Sequence, residues 1–183
     1  AKISDLCGAE SMTFHAAFYM KDSPFDVFDL VEKSLNVIEE RLNRLDIEIE
    51  LRPELTGKTS QFGSLEELIS LAKSVGSCRP CMDFSHLYAR TGKYNTYEEF
   101  NDVLKTLSHE LGREALDNMH IHISGVSSNS KGDLKHLNLD KSSFNWKDLI
   151  RSLKDNNCKG YMISNSPNLE DDARMLKDYY LSC

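Results

Sequence analysis

The chain has 183 residues, of which 40% are hydrophobic and 28% charged, with a formal net charge of −7. That is enough for one sizeable domain with a real core, and the balance is that of an ordinary globular protein. The negative charge argues against a nucleic-acid binder held by a basic face, but not against an enzyme that meets DNA at a cleft lined by bound cations.

No run approaches the ~20 apolar residues of a bilayer span. The opening "AKISDLCGAE" has no apolar signal region, so the cytoplasm is the expected compartment. It reads as the end of a helix stopping near Gly8, with no Met at position 1, and so suggests a fragment of a longer protein. The five cysteines are Cys7, Cys78, Cys81, Cys158 and Cys183. An odd number in a chain this long does not suggest a disulfide framework, and one CxxC without a second pair does not make a structural zinc site. Cys78 and Cys81 are therefore expected as buried or strand-flanking thiols.

In chain order, the first predicted strand runs over about residues 12–18. A helix opens at Ser23-Pro24, with an N-cap and then proline at the first helical position. Its apolar residues Phe28, Val31, Leu35, Ile38, Leu42 and Leu45 recur at helical spacing. A strand follows at 47–52. Ser64 and Glu67 form a capping box for a helix ending at Gly76, and Thr96 and Glu99 form another for a helix ending at Gly112. Between those helices lies a strand at about 79–84. A fourth strand is predicted at 118–124, then a Ser/Asn/Gly-rich loop of about 20 residues. A helix near 145–156, a strand at 160–164 and a last helix over about 168–181 complete the chain. Five strands, each followed by a helix, imply a parallel α/β sheet with right-handed crossovers in one domain over 1–183. There is no GxGxxG after the first strand and no Walker A motif, so a nucleotide-phosphate cradle is not supported.

His15, Glu54, Asp83 with His86, His120 with His122, and Asn165 fall at or near the predicted strand ends. In a parallel barrel or sheet these ends share one edge, where sites are built. Imidazoles mixed with carboxylates are a donor set that zinc, manganese or iron accepts. His120 and His122, two apart on a strand, point to one face. His136 lies in the long loop close to Asp133, whereas His109 beside Glu110 reads as solvated surface. There is no GxSxG elbow.

The stretches "TFHAAFY", "LRPELTGKTSQFGSLEEL", "CMDFSHLYARTG", "LDNMHIHISG", "KHLNL" and "SNSPNLEDDA" together resemble the endonuclease IV family, apurinic/apyrimidinic endonucleases among the xylose-isomerase-like barrels, and its archaeal-type branch in particular. The resemblance runs over essentially the whole chain. It implies a TIM-barrel fold, here a partial one of about five strands matching the C-terminal part of an eight-stranded barrel. It implies hydrolysis of the phosphodiester 5′ to abasic sites in DNA, using up to three metal ions, typically zinc. On this resemblance the metal ligands are His15, Glu54, Asp83, His86, His120 and His136. Glu54 bridges two metals, and Glu54 and Asp83 are the catalytic carboxylates. His122, Asp133 and Asn165 are further candidates, as ligands or as residues that support ligands.

Three departures stand out. The three N-terminal barrel strands are absent, Leu134 stands where the family has a carboxylate two residues before the loop histidine, and Asn165 stands where the eighth strand has a glutamate. Fewer than three metals are therefore expected. Self-association or a missing N-terminal segment is expected to close the barrel. Two other readings stay open: a metal-dependent sugar isomerase or epimerase on the same barrel, and a non-catalytic metal-binding fragment.

Overall fold

A computed structural model describes the backbone of residues 1–129 and 132–183, and the side chains of all residues except 128 and 130–134. The chain divides into two compact units, Ala1–Thr56 with Ser60–Cys81, and Gly57–Thr59 with Met82–Cys183.

In the first unit, helix α1 (Lys2–Leu6) is followed by Gly8 at φ 72°, and strand β1 (Ser11–Phe14) begins three residues later. Helix α2 (Pro24–Arg44) opens as the sequence predicts, with the Ser23 hydroxyl accepting from the Asp26 N–H at 3.1 Å. Strand β2 (Glu50–Pro53) returns parallel to β1, pairing Ser11 with Glu50 through Phe14 with Pro53. The βαβ unit buries Val27, Val31, Leu35 and Leu42 of α2 against Ile49, Leu51, Phe62, Leu71 and Val75. Each such side chain contributes about 1.5–3 kcal/mol relative to exposure. Helix α3 (Leu65–Ser74) carries its predicted capping box, and Glu67 Oε2 also accepts from the Gly63 N–H. Cys78 and Cys81 are buried thiols, as expected, and burial pushes the Cys78 thiol up to about 12.

In the second unit the sheet order is β3 (Cys81–Asp83), β4 (Met119–Ile123) and β7 (Gly160–Ser164). Strands β4 and β7 are parallel, in register from Met119↔Gly160 to Ile123↔Ser164. Helix α4 (Phe84–Thr91) follows β3 without an intervening loop and stops at Gly92, φ 67°. Helices α5 (Tyr97–Leu111) and α6 (Glu114–Asp117) lead into β4. Strands β5 (Gly125–Asn129) and β6 (Gly132–Leu137) form an antiparallel hairpin. A 3-10 turn (Leu139–Lys141) and helix α7 (Trp146–Asp155) precede β7, and helix α8 (Glu170–Ser182) ends the chain.

Three expectations are corrected. The 20-residue loop is mostly the β5–β6 hairpin, so seven strands are present among the described residues and not all are parallel. Its Ser, Asn and Gly content reads as loop because strand propensity is carried by cross-strand neighbours that a linear reading does not see. Residues 84–91, where the sequence announces no helix, form one, because Asp83 is itself an N-cap: its Oδ1 accepts from the His86 N–H at 2.8 Å. The predicted strands at 12–18, 47–52 and 79–84 are also shorter than expected. Among the described residues, the strands fall into sheets of two, three and two, and none closes on itself.

Two outcomes follow from backbone geometry. A Cβ on Gly160, at φ 124°, would lie 2.0 Å from the Met119 carbonyl oxygen, a backbone atom that cannot swing aside. Gly112 has φ 82° and nothing within 4 Å of its Cβ position. In urea denaturation, Gly112→Ala is expected to cost about 1–3 kcal/mol from backbone strain alone, since φ 82° with ψ 170° is a conformation essentially confined to glycine. Gly160→Ala is expected to cost at least about 2 kcal/mol more, since it forces β7 from β4 at their first rung. At Asp83, an asparagine retains a capping acceptor and an alanine does not. Asp83→Ala should therefore be less stable than Asp83→Asn by about 1–2 kcal/mol in the same assay, and equal stabilities would deny the capping role.

Candidate metal centre

In the first unit, pairing of β1 with β2 brings the residues just beyond each strand together. The Glu54 N–H donates to the Phe14 carbonyl at 2.9 Å, and Glu54 Oε2 lies 3.5 Å from His15 Nε2. Glu54 is buried, while the His15 ring is half exposed. A carboxylate and an imidazole at this distance, one facing solvent, form a bidentate start for a cation.

In the second unit the strand-to-helix switch at Asp83 positions a further group of candidate residues. Asp83 is fully buried; Oδ1 caps α4, and Oδ2 lies 3.4 Å from His86 Nδ1. The Ser85 hydroxyl donates to the Ser124 carbonyl at 2.7 Å and accepts from the Ser124 N–H at 2.9 Å, which ties the first turn of α4 to the end of β4. His136 sits on β6, opposite Val126 of β5. Its Nδ1 donates to the Asn165 main-chain carbonyl at 3.2 Å, and its Nε2 meets His86 Nε2 at 3.1 Å.

The donor arithmetic of that pair is informative. A carbonyl only accepts, so Nδ1 of His136 carries its hydrogen and Nε2 of the neutral ring presents a lone pair. The carboxylate beside Nδ1 of His86 favours the same tautomer. Two lone pairs then face each other, an arrangement that calls for positive charge between them. A tetrahedral zinc at about 2.0–2.1 Å from each nitrogen would set two imidazole nitrogens roughly 3.3 Å apart, close to the observed gap. The residues present therefore fit a divalent cation.

His120 and His122 are both buried on one face of β4, with ring centroids 5.3 Å apart. His122, one step nearer the C-terminal end of β4, has a ligand atom within 4.8 Å of an Asp83 carboxylate oxygen. The resemblance gave His120 the leading part; along the strand it is His122 that comes beside Asp83. His120 instead lies within the strand, in register with Tyr161, their rings 6.4 Å apart. Asn165 follows β7, its N–H donating to the Ile123 carbonyl at 2.8 Å, and its main-chain oxygen is what meets His136. The Asp133 side chain lies outside the described residues. His109 is exposed and pairs with Glu110 at 2.9 Å, the surface role expected of it.

A cavity of about 460 Å³ lies against β7, α7 and α8, lined by Ile121, Ile150, Leu153, Met162, Leu176 and Tyr180 among others. Ile121 points to the opposite face of β4 from His120 and His122, so this apolar space belongs to the helix-covered side and not to the histidine cluster. Among the described residues, no helix is long and apolar enough to cross a membrane.

Comparison with known proteins bears on the fold. The family described as Xylose isomerase-like TIM barrel matches residues 1–179. Uncharacterized protein MJ0133 of Methanocaldococcus jannaschii is 39% identical over 181 residues, which are 98% of this chain and 66% of that protein. "Probable endonuclease 4" of Mycoplasmopsis pulmonis is 30% identical over 150 residues, 79% of this chain and 51% of that protein. The crystal structure of D-psicose 3-epimerase in the presence of D-fructose aligns with a TM-score of 0.59 at 14% identity, over 99% of this chain and 64% of that one. At that identity the likeness speaks for the fold alone. The chain thus spans about half to two thirds of the length of these relatives. Its βα repeats, parallel strands and match over nearly every residue lead to one conclusion: the chain belongs to the Xylose isomerase-like TIM barrel family.

Proposed function

We propose that this chain carries the metal-binding part of an endonuclease 4-like hydrolase that cuts the phosphodiester at abasic sites in DNA. One observation carries the reading: His86 and His136 face each other through Nε2 atoms 3.1 Å apart, their Nδ1 atoms turned to Asp83 and to the Asn165 carbonyl. The "Probable endonuclease 4" relative supports the choice of hydrolase. A sugar isomerase would lean on carboxylates for its metals, whereas imidazoles outnumber carboxylates among the candidate residues here.

The proposed ligands are His15 and Glu54 in the first unit, and Asp83, His86, His120 or His122, and His136 in the second. When bound, a divalent cation, zinc first and manganese or iron next, lowers the pKa of a coordinated water and stabilises charge on the phosphate. Glu54 and Asp83 supply the negative charge that offsets the cation and hold it where the imidazoles point. The Asn165 carbonyl keeps His136 in the tautomer that offers Nε2. The chain carries a net charge of −7, so attraction for a DNA backbone has to come from the loaded cation. DNA affinity should therefore depend on metal.

The test is elemental analysis of chain purified without chelator, alongside cleavage of a duplex bearing one abasic site. Expected are stoichiometric zinc, its loss in His86→Ala and His136→Ala, and a larger loss in His122→Ala than in His120→Ala. Asn165→Glu keeps the main-chain carbonyl while adding a carboxylate, and is expected to raise zinc affinity by ~10–100-fold. Absence of stoichiometric zinc, manganese or iron after reconstitution would overturn the reading. Turnover of a ketose in place of the abasic duplex would redirect it to a sugar isomerase.

A further inference from the structure

We infer that Asp172, on the first turn of α8, is a positioning residue for His136. It is 3% exposed, and both carboxylate oxygens are used. Oδ2 accepts from the Leu139 N–H at 2.8 Å, three residues past His136, and Oδ1 accepts from the Asn168 side-chain amide at 2.8 Å, three residues past Asn165. One buried carboxylate thus ties together the segment that carries His136 and the segment whose carbonyl receives its Nδ1–H.

The turn between Asn165 and α8 needs such a tie. Leu169 sits at φ 53°, a conformation unfavourable for a branched side chain, and the segment is otherwise pinned by the Asn165 N–H to Ile123 and by the Leu169 N–H to the Ser166 carbonyl at 3.0 Å. Burial pushes the Asp172 carboxyl up, but hydrogen bonding from the Asn168 and Ser166 side chains and the Leu139 N–H together outweighs it, so the group sits below the usual carboxylate range. A charged acceptor is held in place where a neutral one would bond less strongly.

An ordinary structural role would also place an acidic residue on the first turn of a helix, where it favours the dipole and adds stability. The two roles differ in what they do to the imidazole. If Asp172 positions His136, its loss loosens the 3.2 Å contact from Nδ1 to the Asn165 carbonyl and releases the tautomer; if it only stabilises α8, the tautomer stays.

The experiment reads the His136 ring nitrogens by 15N NMR in the metal-free full chain. Wild type is expected to carry a hydrogen on Nδ1 of His136, whether or not a proton is shared between the two facing Nε2 atoms. Asp172→Asn keeps the shape but sets an amide donor against the Leu139 N–H or the Asn168 amide, and is expected to mix the tautomers and to weaken zinc binding by ~10–100-fold. Asn168→Ala removes one of the two ties and should shift the ring the same way by less, and it decides the matter if Asp172→Asn does not fold. A folded Asp172→Asn chain with His136 still wholly Nδ1–H would overturn the inference. The zinc arm rests on the proposed function and the tautomer arm does not: a wild-type chain that binds no zinc refutes the former and leaves the NMR result to decide the latter.

Discussion

The burial of Asp83 is the constraint on which the rest of the site depends. Taking a carboxylate out of water is costly unless hydrogen bonds or opposite charge offset it. Here the carboxylate stands where β3 becomes α4, and its two oxygens divide the task. One satisfies a helix N-terminal N–H and the other faces an imidazole, while a ligand atom of His122 lies within 4.8 Å of the carboxylate. The capping bond fixes the carboxylate's direction, and the helix it starts fixes His86 three residues on. A single geometric event thus sets a charge and a nitrogen donor side by side.

His136 arrives from a distance of 50 residues, on a hairpin that the sheet alone would not hold. Three contacts hold it: pairing of Val126 with His136, the carbonyl of Asn165, and the Leu139 N–H bound to Asp172. The result is an imidazole whose tautomer is set by a backbone atom. This explains how an asparagine can stand at position 165 without disturbing the ring: any residue there presents the same main-chain carbonyl. Its side chain affects only the charge available to a cation.

The first unit works by simpler means. Strands β1 and β2 run parallel around the well-buried face of α2, and the residues just past their ends, His15 and Glu54, meet because register leaves them no alternative. Charge of one sign is kept at the carboxylate while the imidazole stays accessible. A cation entering from solvent would meet the exposed ring first and the buried carboxylate second.

Local devices were legible in the sequence by itself. Ser23-Pro24, Ser64 with Glu67, and Thr96 with Glu99 announced helix starts because a cap acts within three or four residues, a span the sequence displays directly. The alternation of strands and helices, the position of β7 and the xylose-isomerase-like barrel were legible for the same reason: each is carried by short stretches of sequence. Three things were decided only by tertiary structure. The β5–β6 hairpin depends on cross-strand neighbours, so its Gly- and Ser-rich sequence reads as loop. Helix α4 is hidden because its N-cap looks like a ligand, one carboxylate serving a backbone N–H and an imidazole together. The choice of His122 over His120 beside Asp83, and the meeting of His86 with His136, depend on how far along its strand each side chain lies and on contacts between residues distant in the chain. Pattern along a chain encodes which face a residue takes, but only packing encodes its depth along the strand and the neighbour it meets there.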